Sequence, residues 1–173
     1  MPEQLIVKNE YNELGQLVKK NVGNSIASPL QKVDFDFNIR GWLTDINNIG
    51  RLENDLFNYK INYQEANTPY TTAGAPGSSL YNGNISSINW ATNNSSTAVR
   101  SYYYKYDALN RLTDANYGEN DIVTDKYNEA IGSYDKNGNF INLTNYYGKE
   151  LILLEQDRVN IDGKIWVCKE SFR

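Results

Sequence analysis

Apolar and polar residues alternate with a period of two along much of the chain. Val33, Phe35 and Phe37 are separated by Asp34 and Asp36. Phe57, Tyr59, Ile61 and Tyr63 are separated by Asn58, Lys60 and Asn62, and Tyr102, Tyr104 and Tyr106 by Tyr103 and Lys105. Neighbouring side chains of a strand point to opposite faces, so this alternation predicts half-buried antiparallel strands. Leu52, Leu56, Tyr59 and Tyr63 also fit one face of a helix. Strand is the better reading there, because the alternation is unbroken over 57–63 and asparagine is a poor helix-interior residue.

Between the alternating segments a seven-residue pattern returns: an aromatic, Asp or Asn, two free positions, Gly or Asn, one free position, and a large apolar residue. It reads Tyr11-Asn12-Glu13-Leu14-Gly15-Gln16-Leu17, then Phe37-Asn38-Ile39-Arg40-Gly41-Trp42-Leu43. It returns as Tyr106-Asp107-Ala108-Leu109-Asn110-Arg111-Leu112 and Tyr134-Asp135-Lys136-Asn137-Gly138-Asn139-Phe140. A shortened relative is Tyr81-Asn82-Gly83-Asn84-Ile85. The short carboxylate or amide side chain can bond backbone two residues on, and the Gly or Asn three residues later accepts left-handed geometry. Together they predict a type I turn followed by a bulge, a common hairpin connection. The flanking aromatic and apolar residues would then meet across the hairpin.

The pattern starts at 11, 37, 81, 106 and 134, and the one long step holds a Pro/Gly/Ser-rich stretch at about 67–79, expected as an inserted loop. A repeat region is expected over 1–148. All 14 tyrosines lie at or before Tyr147, and of 25 asparagines only Asn160 lies beyond Gly148. The non-repeat tail, 149–173, carries a hairpin signal at Asp162-Gly163 and is expected to cap one end of the sheet.

Composition removes several function classes. The chain has no histidine, one cysteine (Cys168) and a net charge of −4. The usual general base, a thiolate metal cage and an internal disulfide are therefore absent. No basic block is present for nucleic acid, no apolar run for membrane insertion, and no secretory signal at the start. No cofactor, metal or catalytic residue is expected. Asp34 and Asp36 share a strand face and could be a carboxylate pair, but the alternation explains them as a solvated polar face. Asp135 to Asn139 has its glycine at the wrong position for a helix–loop–helix calcium loop. Cys168 reads as a small buried hydrophobe. Tyr102, Tyr103 and Tyr104 could offer ring faces to glycans, although packing on both faces of a sheet is the simpler role.

The heptad at Tyr106–Leu112, its successor Tyr134–Phe140 followed by Tyr147-Gly148, and Tyr81–Ile85 running to Trp90 resemble units of the RHS or YD-repeat family, the last being similar to units of large Bacteroidetes-type members. The resemblance covers about residues 5–148. It implies an all-β fold of antiparallel hairpin repeats in a curved or spiralling sheet, part of a shell that encloses or presents a toxin or effector. It implies a secreted or cell-surface setting, with neighbouring YD repeats, an enclosed effector or glycans as partners. Five units cannot close a shell, so a fragment of a larger protein is expected. Asp-Pro pairs are absent, so self-cleavage is not carried over. The alternative reading is a carbohydrate- or surface-binding β module using a Tyr/Asn-rich face.

Overall fold

The computed structural model describes residues 4–50, 55–64, 80–94, 96, 98–120, 122–124, 126–147 and 150–155. Twelve strands form one open, antiparallel sheet: β1 (Val7–Tyr11), β2 (Leu17–Asn24), β3 (Pro29–Phe37), β4 (Leu43–Ile46), β5 (Phe57–Asn62), β6 (Ser87–Thr92), β7 (Arg100–Tyr106), β8 (Leu112–Glu119), β9 (Ile122–Val123), β10 (Glu129–Tyr134), β11 (Phe140–Tyr147) and β12 (Glu150–Glu155). Strand order follows chain order, except that β8 pairs with both β9 and β10. The all-β expectation holds, and the sheet is not closed. The 57–63 segment is strand through Asn62, not helix. The sheet runs past Gly148 to Glu155, whereas Cys168 and the tail hairpin signal lie outside the described residues.

Register fixes two chemically different faces. Phe35 pairs with Ile46, Tyr59 with Trp90, Ile61 with Ile88, and Tyr102 with Tyr117, so these residues share one apolar, aromatic face. The intervening positions form a polar face: Lys19 opposite Asp34, Asp45 opposite Lys60, Asn62 opposite Ser87, and Asn89 opposite Ser101. A strand with this alternation cannot slip by one residue without turning its rings onto the polar face.

The middle of the polar face, on β5 to β7, is buried although its side chains are small and polar. Asn58, Asn62, Ser87, Asn89 and Ser101 are all in this class. Four of them are joined in a ladder: Asn62 Nδ2 donates to Ser87 Oγ (3.0 Å) and Asn89 Oδ1 (2.9 Å), and Asn89 Nδ2 donates to Ser101 Oγ (2.7 Å), while Asn58 Nδ2 donates to the Asn48 carbonyl. Burial without such partners would cost each amide on the order of 1–3 kcal/mol. Beside the ladder, Tyr103 is 0% exposed and lies over Gly118, where an added Cβ would stand 3.0 Å from its ring. The aromatic covers backbone that has no side chain of its own.

Candidate functional site

Four hairpin turns are built alike. Asn12 Oδ1 accepts the N–H groups of Leu14 and Gln16 at 3.0 and 2.9 Å. Asn38 does the same for Arg40 and Trp42, Asp107 for Leu109 and Arg111, and Asp135 for Asn137 and Asn139, all within 2.8–3.0 Å. In each turn the fourth residue donates its N–H back to the carbonyl of the Asp or Asn. That residue, Gly15, Gly41, Asn110 or Gly138, has φ between 61° and 85°. Bulges follow at Tyr11/Leu17, Phe37/Leu43, Tyr106/Leu112 and Tyr134/Phe140. The turn chemistry is thus the one the heptad specifies.

The carboxylates carry more than the amides. Asp107 Oδ2 also receives Arg111 Nε at 2.7 Å and Nη2 at 2.6 Å. Hydrogen bonds from the Arg111 backbone and side chain hold its carboxyl below the usual range. Bonds from the Asn139 side chain and backbone do the same for Asp135. Arg111 then lies over the Tyr134 ring, 4.3 Å from its centroid, so one turn grips the aromatic of the next unit.

A second link joins the units. Tyr63 Oη donates to the Leu43 carbonyl at 3.1 Å, Tyr106 Oη to the Ile85 carbonyl at 2.7 Å, and Tyr134 Oη to the Leu112 carbonyl. In every case the donor is the aromatic at a strand's end, Tyr106 and Tyr134 as the last residues of β7 and β10 and Tyr63 directly after β5, and the acceptor is the last apolar residue of the preceding unit. This reassigns the third unit. Its aromatic is Tyr63, because β5 ends one residue before it and β6 begins two residues after Ile85. Tyr81, Asn82 and Gly83 do not close a hairpin of their own. They belong to a long β5–β6 connection, so the inserted residues fall inside the third turn instead of between units. The 67–79 loop itself lies outside the described residues.

Tyr81–Asn84 still uses local turn chemistry: Asn84 N–H bonds Asn82 Oδ1 at 3.0 Å, and Gly83 has φ 97°. A Cβ on Gly83 would stand 3.0 Å from Trp42. The segment also laces the turns on either side. Arg40 Nη1 reaches the Tyr81 carbonyl at 3.3 Å and Asn82 Nδ2 reaches Asn110 Oδ1 at 2.7 Å, while Gln16 Nε2 reaches the Gly41 carbonyl at 3.4 Å.

The three candidate glycan tyrosines do not form one platform. Tyr102 and Tyr104 lie on the aromatic face, and Tyr103 is buried on the other. Tyr102 is stacked between Trp90 (5.7 Å, 18°) and Tyr104 (6.4 Å, 17°), with Tyr117 edge-on at 5.5 Å. Burial pushes the Tyr104 hydroxyl well above the usual tyrosine range. Stacked rings spend their faces on one another, and a sugar needs those faces. Sequence reasoning missed Tyr127, a non-glycine residue at φ 55° in the break between β9 and β10. It packs edge-on against Tyr117 at 5.2 Å, and its carbonyl accepts the Tyr102 hydroxyl at 2.9 Å.

The acidic candidates are also dispersed. Asp34 and Asp36 share the polar face, and both are exposed. Asp34 is 3.4 Å from Lys19, and Asp36 faces Asp45 on β4. Asp45 lines a cleft of about 220 Å³ with Lys60, Asn62 and Tyr63. Burial raises its pKa, and Lys60, 3.9 Å away, opposes the rise. Among the described residues no cluster of three or more His, Cys, Asp or Glu side chains could hold a metal ion. No helix among them is long and apolar enough to cross a membrane. Comparison of the chain with protein-family models and with curated proteins found no match.

Proposed function

We propose that the chain is a non-catalytic structural repeat segment resembling part of an RHS/YD-repeat shell, a wall that encloses or presents an effector. The observation that carries this reading is the unit-to-unit link: three tyrosine hydroxyls each bind the closing residue of the unit before. Stability in such an array comes from nearest-neighbour contacts, and every strand here touches only the strands beside it. A sheet with one aromatic and one polar face suits a wall that meets different surroundings on its two sides.

Deleting residues 1–27, which removes β1 and β2, tests the array. The remaining strands are expected to fold and unfold cooperatively with a modest loss in Tm. Collapse of the whole sheet would refute a nearest-neighbour array. A YD-repeat wall also requires further units, so the coding sequence on either side is expected to carry the same heptad. Flanks without it would refute the shell reading.

A further inference from the structure

β1 is an edge strand, yet it ends in the same aromatic that elsewhere clasps a neighbouring unit. Tyr63, Tyr106 and Tyr134 each donate to a carbonyl 20–22 residues earlier, on the adjacent strand or just before it. Tyr11 occupies the equivalent position in the first heptad. Its hydroxyl accepts a bond from Asn9 Nδ2 at 3.3 Å, its side of β1 has no strand beyond it among the described residues, and it is 59% exposed. Edge backbone groups that face outward are a template for another strand.

We propose that β1 is a docking edge for the second strand of another hairpin unit of this same type, with Tyr11 donating its hydroxyl to the carbonyl of that unit's closing apolar residue. The proposal rests on the repeat-segment reading and deepens it by naming the partner and its register. The incoming strand is of the β4 or β8 kind: it starts at the apolar residue that closes a turn and runs antiparallel to β1. Its apolar positions join Val7 and Tyr11, and its polar positions face Lys8 and Glu10, which follow from the two-residue period. A second copy of the chain fits less well, because its other described edge, β12, follows a closing-residue strand instead of being one.

The test is a fusion in which a second copy of residues 29–56 replaces residues 1–4, giving β1 the neighbour that β4 gives β5. Tyr11→Phe is expected to be silent in the original chain and to lower the Tm of the fusion by about 2–4 °C, the loss of one hydrogen bond in a chain of this size. Tyr106→Phe in the original chain separates the two ideas. A drop for Tyr106→Phe with no effect of Tyr11→Phe in the fusion overturns the docking edge alone. No drop for either removes the unit-to-unit link itself. Should the fusion not fold, a peptide of residues 29–50 added in trans must slow hydrogen exchange of the β1 amides, and unchanged exchange at millimolar peptide overturns the proposal. A concentration-dependent dimer that protects β1 would assign the edge to a second copy and overturn it too.

Discussion

Asn89 is the most exacting test of the polar face. It is 0% exposed, its amide oxygen accepts from Asn62 and its amide nitrogen donates to Ser101. Asn89→Ala removes both bonds, about 1 kcal/mol net each. The void left by the amide adds about 0.6 kcal/mol at roughly 24 cal/mol per Å³. The total, about 2.5–3 kcal/mol, corresponds to a Tm lower by about 5–12 °C for a chain of this length. Urea unfolding followed by circular dichroism measures it, with an unchanged m-value showing that the unfolded state is the same.

Asn89→Asp adds a sign to the test. The shape is kept, but a carboxylate is placed where water does not reach, so its folded pKa must lie above the unfolded value of about 3.9. A group with a raised folded pKa costs nothing below the unfolded pKa, and its penalty grows as pH rises towards the folded pKa. The stability gap between this variant and the natural chain should therefore be small near pH 4 and widen by several kcal/mol by pH 7, each tenfold change in proton affinity being worth about 1.4 kcal/mol. Asn89→Ala costing under about 1 kcal/mol, together with a gap that does not change with pH, would show that water reaches this position. The burial argument for the whole ladder would then fail.

Other positions give shorter tests. Phe37 is the only strand-ending aromatic among β3, β5, β7 and β10 without a hydroxyl, so Phe37→Tyr should donate to the Leu17 carbonyl and raise Tm by about 2–4 °C, one hydrogen bond's worth, in a thermal melt. Asp107 and Asp135 have lowered pKa values, so their contribution is present above about pH 4 and lost as pH falls through the folded values; Asp107→Asn with Asp135→Asn should flatten the acid limb of stability against pH. Gly118→Val would press on the Tyr103 ring and on the Ile122 carbonyl, 3.3 Å from an added Cβ, and should cost about 1–3 kcal/mol in urea unfolding. Tyr102→Ala should lower Tm by removing a stacked ring, with no signal on a glycan array for either form; glycan binding abolished by Tyr102→Ala at unchanged Tm would instead support recognition.

The turns were legible in the sequence because their chemistry is local. Asp107 and Asn110 are three residues apart, and the bonds that define the turn never leave the heptad. The faces were legible for the same reason, and the two-residue period already separates Tyr103 from Tyr102 and Tyr104. What the heptad could not show was its partners in space. Tyr127 enters the aromatic cluster only because the strand opposite β8 breaks between β9 and β10, and although 124–128 holds Thr124, Asp125 and Asn128, turn-forming types, it lacks the heptad that marks the other turns.

The asparagine excess shows most clearly where local reading stopped. Turn chemistry explains Asn12, Asn38 and Asn82. A different group works at the opposite end of the hairpins: Asn47 and Asn120 have φ 55° and 49°, and each donates its N–H to a carbonyl across the hairpin, Asp34 or Val99, and accepts that residue's N–H through its side chain. A third group, Asn58, Asn62 and Asn89, is buried within β5 and β6, where a sequence reading takes asparagine for a solvated position. The third unit was hidden by the same limit. Tyr11, Phe37 and Tyr63 are each 26 residues apart, a regular step that points to Tyr63 as the third strand-ending aromatic. Its closing residue, Ile85, is displaced by the residues inserted between them, and Tyr81-Asn82-Gly83 imitates a heptad start just before it. The spacing of the aromatics therefore carried the correct register, and the local resemblance of 81–85 drew the reading away from it. In a repeat interrupted inside a turn, the strand-ending aromatic is the residue to count from, because its hydroxyl is what ties one unit to the next.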